Sequence, residues 1–157
     1  MSLANLNCPG QIIISGDADK IDAACDAAKA AGAKRAIPLP VAGAYHSPLM
    51  QPAQAGLAEA LAKVELREPS VPVYSNVTGQ AHAAAGTIAA TMVDQVTSPV
   101  KWEACIRAMI ADGITRFIEL GPGKALSGFM RRIARDIEMP NVADCDSLAK
   151  AAESLNG

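Results

Sequence analysis

The sequence predicts a single α/β domain, and three observations support this fold class. The chain has 157 residues, of which 50% are hydrophobic, so it can bury a core without metal ions or disulfides. The hydrophobic residues are mostly alanine, valine and isoleucine, and only 3% of the chain is aromatic, which favours helices packed on a sheet. Short β-branched runs also alternate with segments of helical periodicity, which is typical of α/β proteins.

The first elements are indicated by a β-branched run and an amphipathic segment. Residues 11–15 predict a strand that ends at Gly16, and Asp17 follows as a helix N-cap. The apolar residues of the next segment recur on one helical face, which consists of Ile21, Ala24, Cys25 and Ala28. Gly32 then predicts the end of this helix, and residues 34–39 predict the next strand.

The later elements are predicted from the same signals. Ser47 as N-cap and Pro48 at the first helical position predict a helix over 47–63. Residues 71–76 predict a strand, and 78–86 a polar loop. The remaining pattern predicts helices at 87–95, 100–111, 125–135 and 147–154, and strands at 115–120 and 141–144. The apolar inner faces of the two central helices comprise Trp102, Cys105, Ile106 and Ile110 in one, and Leu126, Phe129, Met130 and Ile133 in the other.

Charge and hydropathy exclude several classes of partner. The formal net charge is −2, so the domain has no overall field that would attract nucleic acid or an anionic membrane. No apolar run approaches the roughly 20 residues of a membrane-spanning helix, and no signal peptide is visible. We therefore expect a cytoplasmic protein.

The four cysteines indicate neither a metal site nor a disulfide framework. Cys8, Cys25, Cys105 and Cys145 are scattered, without a C-x-x-C pair or a histidine at ligand spacing. Buried, reduced thiols are the expectation, and no metal ligand is assigned.

His46 is the leading candidate for a catalytic residue. It lies between the predicted strand 34–39 and the predicted helix at Ser47, where a loop can present an imidazole to a substrate, and Pro48 restricts the backbone beside it. A structural or merely exposed histidine is the alternative; the other histidine, His82, lies in a polar loop. No serine or cysteine stands in a G-x-S-x-G turn, so His46 has no nucleophile to activate. The sequence resembles one half of an active site.

The turn at residues 121–123 is a weaker candidate for a binding site. Its two glycines could direct the amide groups of the following helix at an anion. The turn matches neither the Walker nor the dinucleotide-binding pattern, so a simple turn is the alternative prediction.

Six segments, in the same order, resemble the malonyl-CoA:acyl-carrier-protein transacylase family. They are residues 5–16, 33–41, 46–50, 74–78, 95–102 and 118–124. The resemblance covers essentially the whole chain but only about the C-terminal half of the family's length. It implies the C-terminal part of an α/β-hydrolase-like acyltransferase core, here residues 46–157. Residues 5–45 would then be the second β-α-β half of an inserted, truncated ferredoxin-like subdomain.

The resemblance also implies a reaction in fatty acid biosynthesis. In this family a serine attacks malonyl-CoA, a histidine acts as its base, and malonyl passes to the phosphopantetheine thiol of acyl carrier protein without a cofactor. His46 matches the histidine, and Gln95 matches a residue whose backbone carbonyl orients it. Asn7 and Gln11 resemble residues that line the substrate cleft, with ordinary loop and strand-end hydrogen bonding as the alternative. Tyr45 resembles an aromatic residue that favours malonyl over methylmalonyl.

The serine nucleophile, the arginine that pairs with the malonyl carboxylate and an oxyanion-hole glutamine belong to the family's N-terminal half. The resemblance therefore implies that this chain alone forms no acyl-enzyme. Two alternatives stay open: a non-catalytic module that binds acyl carrier protein or CoA, and a piece of a polyketide synthase acyltransferase domain. Strand edges left without neighbours predict self-association, docking on the missing half, or repacking.

A basic helix side is the candidate surface for acyl carrier protein. Lys124, Arg131 and Arg132, together with Arg135, lie in and just before the predicted helix 125–135 and could attract an acidic carrier protein. The alternative is a solvated cationic helix end, which the helix dipole favours.

Overall fold

The computed structural model describes residues 1–156, and the side chains of residues 1–154. The strands are β1 (Ser2–Cys8), β2 (Gln11–Ser15), β3 (Tyr74–Ser75), β4 (Gln80–Ala81), β5 (Glu119–Leu120) and β6 (Asn141–Val142). The helices are α1 (Ile21–Ala30), α2 (Gln51–Leu61), α3 (Ala85–Gln95), α4 (Trp102–Ala111), α5 (Ala125–Ile133) and α6 (Cys145–Asn156). Single 3₁₀ turns at Ala18–Lys20 and Pro48–Met50 precede α1 and α2. This mixture confirms the predicted α/β class.

The strands form three separate pairs. β1 and β2 are an antiparallel hairpin in which Leu3 faces Ile14 and Leu6 faces Ile12. β3 and β4 are antiparallel, whereas β5 and β6 are parallel. The outer edge of β1 is joined to the start of α4, because Leu6 N donates to the carbonyl oxygen of Val100 at 2.8 Å. The hairpin is therefore anchored to the body of the molecule.

The core lies where α4 and α5 pack on β1. Its buried side chains are Cys8, Ile106, Phe117, Met130 and Ile133, and the partly buried Trp102, Ile110 and Phe129 pack against them. Met130 and Ile106 are the most completely buried large side chains. These positions confirm the predicted inner faces of both central helices except at Leu126, which is half-buried and lies outside the core cluster. A 3.6-residue period places the others on one side.

The strand predicted at 34–39 is wrong. The backbone there is irregular, and Ile37 and Val41 are 58% and 61% exposed. A strand exists only through hydrogen bonds to a neighbour, and Pro38 and Pro40 remove two of the donors that such bonding needs. Of the expected β-α-β unit, only β2 and α1 form. β2 instead pairs with β1, which the sequence patterns did not predict; the domain division at residue 46 stays a prediction.

Several smaller expectations also differ. The predicted loop 78–86 contains β4, and the predicted strands 71–76 and 115–120 form over two residues each, because each pairs with a neighbour of only two residues. Asp17 occupies the N-cap position of the 3₁₀ turn Ala18–Lys20, but its side chain makes no capping hydrogen bond. Its carboxylate accepts instead from Lys20 Nζ at 2.8 Å.

The thiols are free, but not all of them are buried. Cys8 and Cys105 are buried, Cys25 is half-buried and Cys145 is exposed. Burial raises the pKa of the Cys105 thiol, which donates to Ser75 O at 3.3 Å. The expectation of buried thiols is therefore wrong for Cys145, which begins α6 on the surface.

Across residues 1–156, none of the helices has both the length and the apolar character that crossing a membrane requires.

Candidate active site

His46 has an unusual backbone conformation. Its φ angle is +58°, and among the described residues it is the one non-glycine residue with a positive φ. The left-handed region costs an L-residue about 1–2 kcal/mol, so the surrounding structure must hold His46 there. His46 is half-buried at the start of the 3₁₀ turn that precedes α2.

Ser47 stabilises this loop from the C-terminal side. Its hydroxyl donates to Ala44 O at 2.6 Å and accepts from Leu49 N at 3.3 Å. The side chain is almost fully buried, so neither bond competes with water. The predicted capping role of Ser47 is confirmed, with the qualification that the helix starts as a 3₁₀ turn and becomes α-helical at Gln51.

The imidazole of His46 is oriented by the end of α3. His46 Nδ1 lies 2.9 Å from the backbone carbonyl oxygen of Gln95, the last residue of that helix, whose carbonyl has no partner within the helix. A carbonyl only accepts, so Nδ1 carries the proton and Nε2 keeps its lone pair. The amide nitrogen of Gln95 lies 3.3 Å from the same ring atom but donates to Ser98 O at 3.0 Å.

This arrangement leaves His46 Nε2 able to accept a proton. The hydrogen bond between Nδ1 and Gln95 O fixes this tautomer and the orientation of the ring. The contact is the one that the family resemblance implied; its catalytic role stays a prediction.

The proposed substrate-lining residues occupy two places. Asn7 and Gln11 flank the turn between β1 and β2, where Asn7 is buried and Gln11 Oε1 accepts from Cys8 Sγ at 3.6 Å. Tyr45 precedes His46 and is 51% exposed. Ser15, at the far end of β2, donates to the Tyr45 carbonyl oxygen at 2.7 Å, which joins the hairpin to the His46 loop.

The three basic residues of the expected carrier-protein surface differ in their contacts. Arg132 Nη2 donates to Pro9 O at 2.6 Å and so holds the β1–β2 turn. At that turn Gly10 has a φ of +74°, and a Cβ on it would lie 3.0 Å from the same guanidinium. Lys124 and Arg131 are exposed, and their side chains have no hydrogen bond or ion pair within the described part of the chain.

Sequence reasoning missed the role of Glu119. The residue is 6% exposed, and its carboxylate accepts from Leu126 N and Ser127 N, each at 3.0 Å, at the start of α5. Burial alone would raise the pKa of the Glu119 carboxyl, but the hydrogen bonds from Ser127 and Leu126 outweigh it and lower the pKa. The chain's own carboxylate thus occupies the start of α5, which favours a simple turn over an anion site at residues 121–123.

The second histidine lies in a different setting. His82 Nδ1 is 3.4 Å from the Thr91 hydroxyl, and His82 and Gln95 both line a cavity of about 270 Å³. Among the residues that the structure describes, no three histidine, cysteine or acidic side chains are grouped to hold a metal ion.

Residues 1–152 match the acyl transferase domain, and the chain belongs to this family. It is 44% identical over 155 residues to the malonyl CoA-acyl carrier protein transacylase of Bacillus subtilis, which is 99% of this chain and 49% of that protein. The transacylase of Escherichia coli K12 is 39% identical over 98% of this chain and 50% of that protein.

Solved structures give the same result. The transacylase of Clostridium perfringens superposes with a TM-score of 0.94 at 39% identity, covering 99% of this chain and 49% of that one. A malonyl-transacylase solved in complex with its type II polyketide acyl-carrier protein has a TM-score of 0.93 at 38% identity, covering 98% and 50%. The chain thus spans about half the length of its relatives and matches their C-terminal half.

Proposed function

We propose that this chain supplies the histidine base of a malonyl transfer from CoA to the phosphopantetheine thiol of acyl carrier protein. The observation that carries the proposal is the His46 Nδ1 to Gln95 O contact of 2.9 Å, which leaves Nε2 as a base. The substrates in this proposal are those that the names of the relatives give. The serine nucleophile would come from the complementary half of an acyltransferase domain.

The proposed reaction has two steps, acylation of the serine and transfer of malonyl to the carrier-protein thiol. His46 Nε2 takes the proton of the serine hydroxyl as its oxygen attacks the thioester carbonyl, and the imidazolium returns that proton to the departing CoA thiolate. In the second step Nε2 takes the proton of the carrier-protein thiol, whose sulfur attacks the ester, and the serine leaves with that proton. The proposed steps need no cofactor.

Three residues would contact the acyl group or its thioester. Asn7 and Gln11 offer side-chain amides on the two strands of the hairpin, and Tyr45 immediately precedes His46 in the chain. Steric rejection of one methyl group is worth about 1–3 kcal/mol, so we propose that Tyr45 selects malonyl over a branched substrate.

The expected docking surface for acyl carrier protein is the basic side formed by Lys124, Arg131 and Arg132. We predict that Arg131→Glu weakens carrier-protein binding by about threefold to tenfold at low salt, and that added salt reduces this difference. Titration calorimetry measures the dissociation constant, using an enzyme completed by fusing this chain to the nucleophile half of a relative. Arg67→Glu, an equal charge change at an exposed site on another segment, is the matched control. Equal affinities of the two variants at low salt would contradict the docking surface.

Exposed apolar residues mark where the complementary half would pack. Ile12 on β2 is 61% exposed, and Ile37 and Val41 in the irregular segment after α1 are exposed as well. We propose that the nucleophile half covers this surface and that, without it, the chain self-associates there.

The cysteines bear on the proposed location of the protein. All four thiols are free, which suits the reducing cytoplasm, our proposed location.

The test supplies the complementary half from a relative. We expect the chain alone to gain no mass from malonyl-CoA, whereas a fusion with the preceding half of the Bacillus subtilis relative gains one malonyl group on a serine, read by intact-protein and peptide mass spectrometry. A malonyl group on the isolated chain would refute the division of labour. A folded fusion that binds malonyl-CoA but is never acylated would favour the alternative, a non-catalytic binding module.

The second candidate function is the same chemistry in a polyketide synthase. It is favoured by the likeness to the malonyl-transacylase of a type II polyketide system. Transfer rates from the fusion to a fatty-acid and to a polyketide carrier protein separate the two.

A further inference from the structure

A single side chain links the hairpin to the backbone of His46. Ser15 is the last residue of β2, and its hydroxyl donates to the carbonyl oxygen of Tyr45, 30 residues along the chain, at 2.7 Å. Ser15 is half-buried. The bond thus connects two segments that are remote in sequence.

The position of this bond matters because of what it holds. The Tyr45 carbonyl and the His46 nitrogen belong to one planar peptide group. The φ angle of His46 is the rotation of that group about the N–Cα bond of His46. This φ is +58°, in a region that L-residues avoid unless they are constrained. Ser47 holds the preceding carbonyl, that of Ala44, at 2.6 Å, so two successive carbonyls before His46 are hydrogen-bonded.

We propose that Ser15 is a positioning residue for His46. Resting on the function proposed above, the inference is that the Ser15 hydroxyl keeps the left-handed turn at His46 and thereby keeps Nδ1 on the carbonyl of Gln95. It also places the end of β2, the strand that begins at Gln11, in fixed relation to the base. Ser15 acts through His46 and touches no reacting atom.

The expected effect is on the tautomer of His46. Without the Ser15 bond the Tyr45–His46 peptide can rotate, the Nδ1 contact loosens, and the ring returns toward the Nε2-protonated form that free histidine prefers. We expect Ser15→Ala to lower the ratio of Nδ1-protonated to Nε2-protonated His46 by about fivefold, the usual weight of one hydrogen bond. Ser15→Thr keeps the hydroxyl and should restore the ratio.

The experiment is long-range ¹H–¹⁵N NMR of the two histidine rings in the labelled full chain, under conditions where both rings are neutral. His82 serves as the internal reference, since its ring partner is Thr91 and its signals should stay unchanged. Ser70→Ala is the matched control, because Ser70 is exposed and its hydroxyl has no partner within the described residues.

Each outcome decides one question. A Ser15→Ala ratio equal to that of Ser70→Ala overturns the positioning role. If Ser15→Ala fails to fold, Ser15→Cys, of similar size but a poor donor, gives the same comparison and the same criterion. If the unmodified chain already lacks the Nδ1-protonated form, the geometry behind the proposed function fails instead, so the two failures are distinguishable.

Discussion

His46→Asn should reduce malonyl transfer by the completed enzyme by about 10²–10⁴-fold, the usual contribution of a general base. Asparagine is chosen because it tolerates the left-handed conformation that His46 adopts at φ +58°. The variant therefore removes the lone pair of Nε2 while the loop keeps its shape. Stopped-flow or quenched transfer from malonyl-CoA to carrier protein, using the fusion described above, gives the rate.

The control for this prediction is the other histidine. His82→Asn removes an imidazole whose ring nitrogen faces Thr91 at 3.4 Å. His82 lines the same cavity as Gln95 but has no hydrogen bond to His46 within the described residues, so transfer should stay within about twofold of the parent. Thermal unfolding of both variants checks that they fold equally. A His46→Asn enzyme that transfers malonyl as fast as His82→Asn would refute the role of His46 as base.

Glu119→Ala should destabilise the chain by about 2–3 kcal/mol, as expected for the loss of hydrogen bonds to a buried charged acceptor at a helix start. The variant leaves Leu126 N and Ser127 N without the carboxylate from which each now lies 3.0 Å, and a methyl group cannot replace it. Urea unfolding monitored by circular dichroism measures the change. Glu138→Ala, which removes an exposed carboxylate, should change the free energy of unfolding by less than about 0.5 kcal/mol.

The same carboxylate predicts a pH dependence. The pKa of Glu119 is lower in the folded chain than its ordinary value of 4.5, so the unfolded chain takes up the proton first. The stabilisation is fully present above that ordinary value and is lost as pH falls below it, through the folded-state pKa. Glu119→Gln, which keeps an acceptor but cannot titrate, should flatten this part of the stability curve; an unchanged acid dependence in the glutamine variant would contradict the assignment.

The helices and their buried faces could be predicted because the signal is local. Apolar residues spaced three and four apart put Ile106 and Met130 on inner faces whatever those faces meet, and both are buried in the core. Ser47 and Pro48 likewise marked a helix start within a few residues. For the site, the residues alone indicated a histidine in a loop, and the family resemblance supplied its partner at Gln95.

The rest depended on contacts between distant parts of the chain. The apolar run at 34–39 looks like a strand, but a strand needs a neighbour, and none lies beside it within the described residues. The carboxylate of Glu119 reaches the start of α5 only because the 121–123 turn folds back, which no capping pattern encodes. The sequence by itself determined the helical faces, the α/β class and the presence of a candidate base. Only the tertiary structure decided the strand pairs and the left-handed turn of His46, and it alone gave the geometry of the ring's contact with Gln95 O that the resemblance implied. Strand pairs depend on a partner strand, and the groups around His46 meet across 30 to 49 residues.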